Sequence, residues 1–199
     1  VEGSLFVAAA FMIGRLGQIP VAGHQVALNF ASLVFMVPLG LSSAISVRVG
    51  NAIGRGDPRA ARYQGLLGIA LAVALQTVGI SAMIFFPEPI VGLYTKDLMV
   101  TQIALELIFL AAIFQWPDCI QVAAAGALRG LKDTRIPMIY TVVAYWLVGI
   151  TTGYSLTFHY QWGAPGMWVG MIAGLSVAAI LLVVRFLRSS KKRIQALNH

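Results

Sequence analysis

Charge is what this 199-residue sequence has least of: 11% Asp, Glu, Lys and Arg beside 59% hydrophobic residues, where an average soluble domain carries about 25% charged. That shortage excludes a fold that hides its apolar side chains in one water-facing core. There is a single cysteine, Cys119, which excludes an intrachain disulfide framework and a Cys-rich metal site. Enzyme signatures are also missing. No metal-spaced His/Cys set, Ser/His/Asp constellation or glycine-rich loop leading into Lys and Ser/Thr is present, so neither an enzyme nor a bound cofactor is expected. Acids are scarce, 7 against 14 bases, for a net charge of +7. A nucleic-acid binder carries such an excess on a folded polar surface. Here the bases punctuate long uncharged stretches, so nucleic acid is not an expected partner and the excess reads as membrane topology. The chain opens in apolar sequence at Val1, without Met or a basic leader, and is expected to continue upstream.

What is abundant is apolar sequence in runs of helical membrane-spanning length, about 20 residues. Six such runs predict an all-α, polytopic membrane six-helix bundle over residues 1–17, 21–47, 63–86, 101–127, 138–158 and 165–187, with a basic tail at 188–199. Gly17 and Pro20, Gly54 to Pro58, Pro87 and Pro89, Gly130 and Pro137, and Gly163 and Pro165 fall between them, as helix ends require. Of the 14 bases all but Arg15 and Lys96 fall in the second joint, the fourth joint and the tail. Lys and Arg are retained in cytoplasmic loops, so both ends are expected in the cytoplasm. The stretch from Pro87 to Val100 is too interrupted to span. It is expected either at the outer interface or as an ordered loop with buried apolar anchors. No internal repeat is evident.

Three acids, Glu2, Glu106 and Asp118, lie within apolar runs that hold no interior Lys or Arg. A carboxylate in hydrocarbon costs several kcal/mol unless protonated, hydrated or bound to a cation, so intramembrane acids in runs without bases point to a proton or cation site. Asp118 is the strongest candidate. It follows Pro117, whose missing N–H leaves the carbonyl of Ile113 without its helical donor, and Phe114 and Gln121 share its face. Structural hydrogen bonding by a protonated Asp118 is the alternative. Glu2 is a second candidate if its helix continues upstream, and Glu106 is expected at the mouth of the bundle. Gln25, Asn29 and Ser32 form a polar strip at i, i+4 and i+7, suited equally to lining a cavity or to bonding a neighbouring helix. His24, at the outer end of the same run, is expected to be solvated. Gly166, Gly170 and Gly174 repeat at four residues, the spacing of close helix packing.

The runs VAGHQVALNFASLVFMVPLGLSSAISVRVGNAIGRGD and PDCIQVAAAGALRGLKDTRIPM, with the opening VEGSLF, resemble the carboxy-terminal half of multidrug and toxic compound extrusion (MATE) transporters of the NorM type. The resemblance implies one lobe of a twelve-helix transporter whose other six-helix lobe lies upstream. It further implies export of cationic, amphipathic, drug-like molecules across a bacterial inner membrane in exchange for Na⁺ or H⁺. Glu2 and Asp118 match acids implicated in cation coupling in that branch, and would hold Na⁺ if Na⁺ is the coupling ion. Phe114, Gln25, Asn29 and Gln121 become candidates for lining the substrate cavity. Several members have Tyr where this chain has Phe114, which removes a hydroxyl ligand and leaves H⁺ coupling open.

Two rival functions follow from the same helices. A lipid-linked oligosaccharide flippase of related architecture moves an anionic headgroup and requires intramembrane Lys or Arg, which these runs lack. A channel-type or non-transporting subunit requires no coupling acid.

Overall fold

The computed structural model describes the backbone from Glu2 and the side chains from Ser4 to His199. The described residues are helices joined by short turns: α1 (Glu2–Gly14), α2 (Gln18–Gly54), α3 (Pro58–Phe85), α4 (Pro87–Gly92), α5 (Leu98–Gly130), α6 (Arg135–His159) and α7 (Ala164–Ala196). All but α1 and the short α4 are long and apolar enough to cross a membrane by themselves; the described apolar part of α1 is Ser4–Gly14. The protein is an integral membrane helical bundle.

The helices outrun the apolar stretches because polar ends are helical too. The span expected at 21–47 extends to Gly54 and the one at 63–86 starts at Pro58. Proline is pre-set for the first turn of a helix, and Asp57 caps α3 by accepting from the Ala60 amide at 3.0 Å. Asp97 caps α5 in the same way, accepting from Met99 N at 2.9 Å, each carboxylate satisfying an otherwise orphan first-turn donor. Residues 188–199, expected as a tail, are helical to Ala196, since Arg, Lys, Gln and Ala are good helix formers. The stretch after Pro87 has the buried apolar anchors of the second expectation, set on a short helix and not a loop. Ile90 and Val91 are buried anchors on α4, while Leu93 and Tyr94 face outward.

Two helix ends share one geometry that the sequence reading passed over. At the end of α2, Gly56 has φ 73° and the Asp57 amide donates to Ala52 O at 3.0 Å. At the end of α5, Lys132 has φ 62° and the Asp133 amide donates to Leu128 O at 2.9 Å. Both are left-handed C-caps with a six-to-one bond; glycine occupies the first and lysine the second.

The buried apolar side chains form two groups stacked along the bundle. One contains Leu5, Ala31, Leu107, Phe114 and Trp168. The other, toward the basic end, contains Ile45, Val49, Cys119, Leu128 and Phe186. On α5 the division falls between Phe114 and Cys119, at Pro117; on α2 it falls between Ala31 and Ile45, where Pro38 lies inside the helix. Each proline removes one N–H from its ladder, so the two helices that pack along each other are both interrupted at the level between the groups.

The glycine stripe of α7 is packing, as its spacing implies. A Cβ on Gly170 would overlap Gly153 of α6, and one on Gly174 would come within 2.9 Å of the Gly149 Cα. Facing glycines bring the two backbones together; α6 has π turns over Ala144–Ile150 and Ser155–His159, on either side of Gly153.

Candidate functional site

Asp118 is 2% exposed and faces a cavity of about 200 Å³ walled by Phe6 of α1, by Leu28, Ala31, Ser32 and Phe35 of α2, and by Phe114. Among the described residues these walls carry no Lys or Arg. Apart from Asp118, Ser32 is the polar side chain among them, and its hydroxyl donates to Leu28 O at 2.8 Å. The acid therefore sits in an apolar chamber at the level where the helix ladders of α2 and α5 are broken. Pro117 is inside α5 as expected.

Phe114 packs centrally in this region. Its ring lies 5.8 Å from that of Phe6 and 5.5 Å, edge to face, from that of Trp168. Trp168 continues inward, donating from Nε1 to His24 Nδ1 at 3.0 Å. His24 is thus fully buried rather than solvated, because the indole supplies the polar partner that water would have supplied. Accepting at Nδ1 fixes the neutral tautomer with its proton on Nε2.

The other expected site residues separate. Glu2 stands in the first turn of α1, and its side chain lies outside the described residues. Gln25 and Asn29 are exposed on α2, on a face rotated from the Leu28, Ala31 and Phe35 wall; Asn29 Oδ1 accepts from Tyr94 Oη at 2.8 Å. Gln121 is buried but belongs to a different cavity, beside Arg129, Asp133 and the α6 residues Pro137 and Thr141. Glu106 is exposed on α5.

The sequence reading missed a polar link beside the acid. Gln115 is fully buried and donates from Nε2 to Ala31 O at 3.2 Å, while its Oε1 accepts from Gln76 Nε2 at 2.6 Å. This ties α3 to α5 and α5 to the α2 wall of the cavity. The available signal was the amide side chains themselves, since Gln76 and Gln115 are polar residues in the middle of apolar runs. Ser42, also missed, donates to Val122 O at 2.9 Å and accepts from Arg129 Nη2 at 2.6 Å, which anchors a basic side chain against α2.

The fold and this site define an integral membrane bundle organised around a buried acid at a helix break. Residues 1–155 match the MatE family. The chain is 48% identical over 191 residues to a probable multidrug resistance protein NorM of Xanthomonas axonopodis pv. citri, covering 96% of this chain and 42% of that protein. It is 46% identical over 198 residues to the multidrug resistance protein PmpM of Pseudomonas aeruginosa, covering 98% and 42% respectively. The match falls on the carboxy-terminal part of such relatives, and the chain spans about 42% of their length. Among solved structures, a mutant MATE protein superposes with a TM-score of 0.86 at 17% identity, covering 96% of this chain and 42% of the other. The eukaryotic MATE transporter AtDTX14 gives 0.82 at 23%, with 96% and 44% covered. At those identities the structural likeness speaks to the fold. The chain belongs to the MatE family and corresponds to its carboxy-terminal lobe.

Proposed function

We propose that this chain is the ion-coupling lobe of a secondary active multidrug efflux antiporter, which exports cationic amphipathic drugs in exchange for H⁺ or Na⁺. The observation that carries the reading is Asp118, 2% exposed in an apolar cavity beside Pro117. An ionised carboxylate there is costly without a proton or a cation, so occupancy by one disfavours occupancy by the other. That competition is the basis of exchange. The described walls favour H⁺. They offer the Asp118 carboxylate and the Ser32 hydroxyl as oxygen-bearing side chains, and Na⁺ would need further ligands, with Glu2 the candidate.

Cavity size supports a division of labour between lobes. Drug-sized ligands occupy pockets of roughly 300–1,000 Å³, whereas this one holds about 200 Å³. It suits a proton, an ion or a small part of a drug. The drug itself is then held between this lobe and a second six-helix lobe, with the exposed Gln25 and Asn29 on the path and Phe6, Phe35 and Phe114 offering aromatic faces to a cationic group. The basic end of the bundle lies in the cytoplasm by the retention of Lys and Arg there, with the protein in a bacterial inner membrane. A flippase for an anionic headgroup is disfavoured by described cavity walls without Lys or Arg.

The test is transport by the full-length protein in proteoliposomes under separately imposed Na⁺ and pH gradients. Wild type is expected to export drug driven by H⁺ moving the opposite way down the imposed pH gradient, and Asp118→Asn to lose ion-driven export while still incorporating into the vesicles. Intact, ion-dependent export by Asp118→Asn sinks the mechanism. Steady flux independent of either gradient favours a channel-type subunit instead.

A further inference from the structure

The basic end of the bundle contains a cavity, larger than the one at Asp118, that the transport reading does not use. It encloses about 670 Å³ between the α5–α6 turn and the last turns of α7, and Lys132, Arg185, Arg188, Lys192 and Arg193 line it, with Asp133 as the one carboxylate among the described residues there. Two of these bases are committed to the protein. Arg185 Nε donates to Asp133 Oδ2 at 2.7 Å and Arg193 Nη2 to Leu131 O at 2.6 Å, which braces the cleft. Lys132, Arg188 and Lys192 are exposed, and the cleft offers their positive charge no described carboxylate beyond the one Arg185 already holds.

Two further features set this cleft apart from a solvated basic face. Lys132 holds its charge at a left-handed position (φ 62°), where the matching turn after α2 has Gly56. A non-glycine residue there costs about 1–2 kcal/mol, so the lysine is kept against local backbone preference. The cleft also borders an apolar groove. Val184 lines both it and a second cavity of about 430 Å³ running between α5 and α7, where Trp116, Pro117 and Ile180 form the walls. A compact cluster of bases adjoining an apolar groove at Val184 matches a molecule with an anionic head and an acyl chain.

We propose that this cleft binds the phosphate headgroup of an anionic phospholipid, with Lys132, Arg188 and Lys192 contacting the phosphate and the groove past Val184 receiving an acyl chain. Arg185, Arg188 and Lys192 fall at i, i+3 and i+7 on α7, one face of one helix, and Lys132 closes the opposite side. Basic pockets between transmembrane helices at the headgroup level attract anionic lipids, at roughly fivefold in affinity per base. The proposal needs only the membrane embedding of the bundle and does not depend on the transport reading.

The experiment is native mass spectrometry of the purified full-length protein, titrated in detergent with dioleoyl phosphatidylglycerol, with dioleoyl phosphatidylcholine or with inorganic phosphate. Wild type is expected to retain phosphatidylglycerol at least about tenfold more tightly than phosphatidylcholine. Lys132→Gln/Arg188→Gln/Lys192→Gln should remove that preference, a loss on the order of 100-fold for three bases, while Arg188→Lys keeps most of it. Charge removal at the other basic turn, Arg55→Gln/Arg59→Gln, should leave it intact. Val184→Trp, which fills the junction with the groove, should weaken phosphatidylglycerol without altering phosphate binding. The proposal fails if the triple variant retains phosphatidylglycerol like wild type, or if the Arg55/Arg59 variant loses it equally. It also fails if inorganic phosphate displaces the lipid while Val184→Trp has no effect, since the site is then one for free phosphate.

Discussion

Replacing Gln115 by Leu tests whether the polar link beside the acid holds the cavity wall in place. The substitution keeps the side-chain volume close and removes two interhelical hydrogen bonds, to Ala31 O at 3.2 Å and from Gln76 Nε2 at 2.6 Å. Such bonds average about 0.6 kcal/mol each within membranes, or roughly 1.2 kcal/mol for the pair. Gln76 is 1% exposed, and losing its acceptor leaves a buried amide donor unsatisfied, for about 1–3 kcal/mol more. Gln115→Leu alone should therefore cost about 2–4 kcal/mol. Gln76→Leu leaves the bond to Ala31 but loses the one to Gln115, about 0.6 kcal/mol, and strands Gln115 Oε1 for about 1–3 kcal/mol more, so it should cost roughly 1.6–3.6 kcal/mol. In Gln76→Leu/Gln115→Leu no side-chain amide is stranded, and the loss should fall to about 1–2 kcal/mol. The cycle is then strongly non-additive, with the double variant more stable than Gln115→Leu. Reversible unfolding in detergent micelles, or trapping of the unfolded state in bicelles, reads these differences. Two single losses that sum to the double within about 0.5 kcal/mol would show that the two glutamines act independently, and the reasoning would be refuted.

Two further outcomes follow from the packing. Gly170→Ala drives a methyl into the backbone of Gly153 and, because backbone on both sides has no room to yield, should lower stability by about 1–3 kcal/mol; thermal unfolding in detergent checks it, with Gly163→Ala, where a Cβ meets nothing within 4 Å but φ is 72°, as a strain-only comparison. Phe114→Tyr adds a hydroxyl one helical turn from Asp118, on a ring packed between Phe6 and Trp168. It should increase the Na⁺ dependence of export relative to the H⁺ dependence in proteoliposomes, and an unchanged ratio would remove Phe114 from the choice of ion.

The membrane character of the fold was legible because hydrocarbon imposes a length and a composition together: α2, α3, α5 and α7 each announce themselves as apolar runs between Gly and Pro. Their ends were less so. Arg48 to Gly54, Arg59 to Arg62 and Arg188 to Arg193 carry charge yet stay helical, because polarity marks the edge of the bilayer but not the end of a helix. Helix α6 was legible as a span, yet its π turns were not, since no local signal in Ala144–Ile150 marks them. The paired left-handed caps could have been read, because G-R-G-D-P-R from Gly54 and G-L-K-D-T-R from Gly130 share glycine, aspartate and arginine at the same spacing.

For the site, the acid was legible and its surroundings were not. Asp118 stands out in sequence because an intramembrane carboxylate is costly wherever it lies. Which residues enclose it depends on the rotation of α2, and a polar strip at i, i+4 and i+7 fixes a face without saying what that face meets. Gln25 and Asn29 share their face with each other, whereas the wall at Asp118 is the more apolar one carrying Leu28, Ala31 and Phe35. This follows from the cost of burial. A face already polar gains little from packing into the lobe and the apolar face gains more, so Gln25 and Asn29 are left exposed on α2 while Ser32, the third residue of the strip, edges the cavity, whose walls among the described residues carry no Lys or Arg. The same logic accounts for His24. It was judged by its position near a helix end, but Trp168, 144 residues later in the chain, brings an indole N–H to Nδ1, and the imidazole is buried where a solvated one was expected.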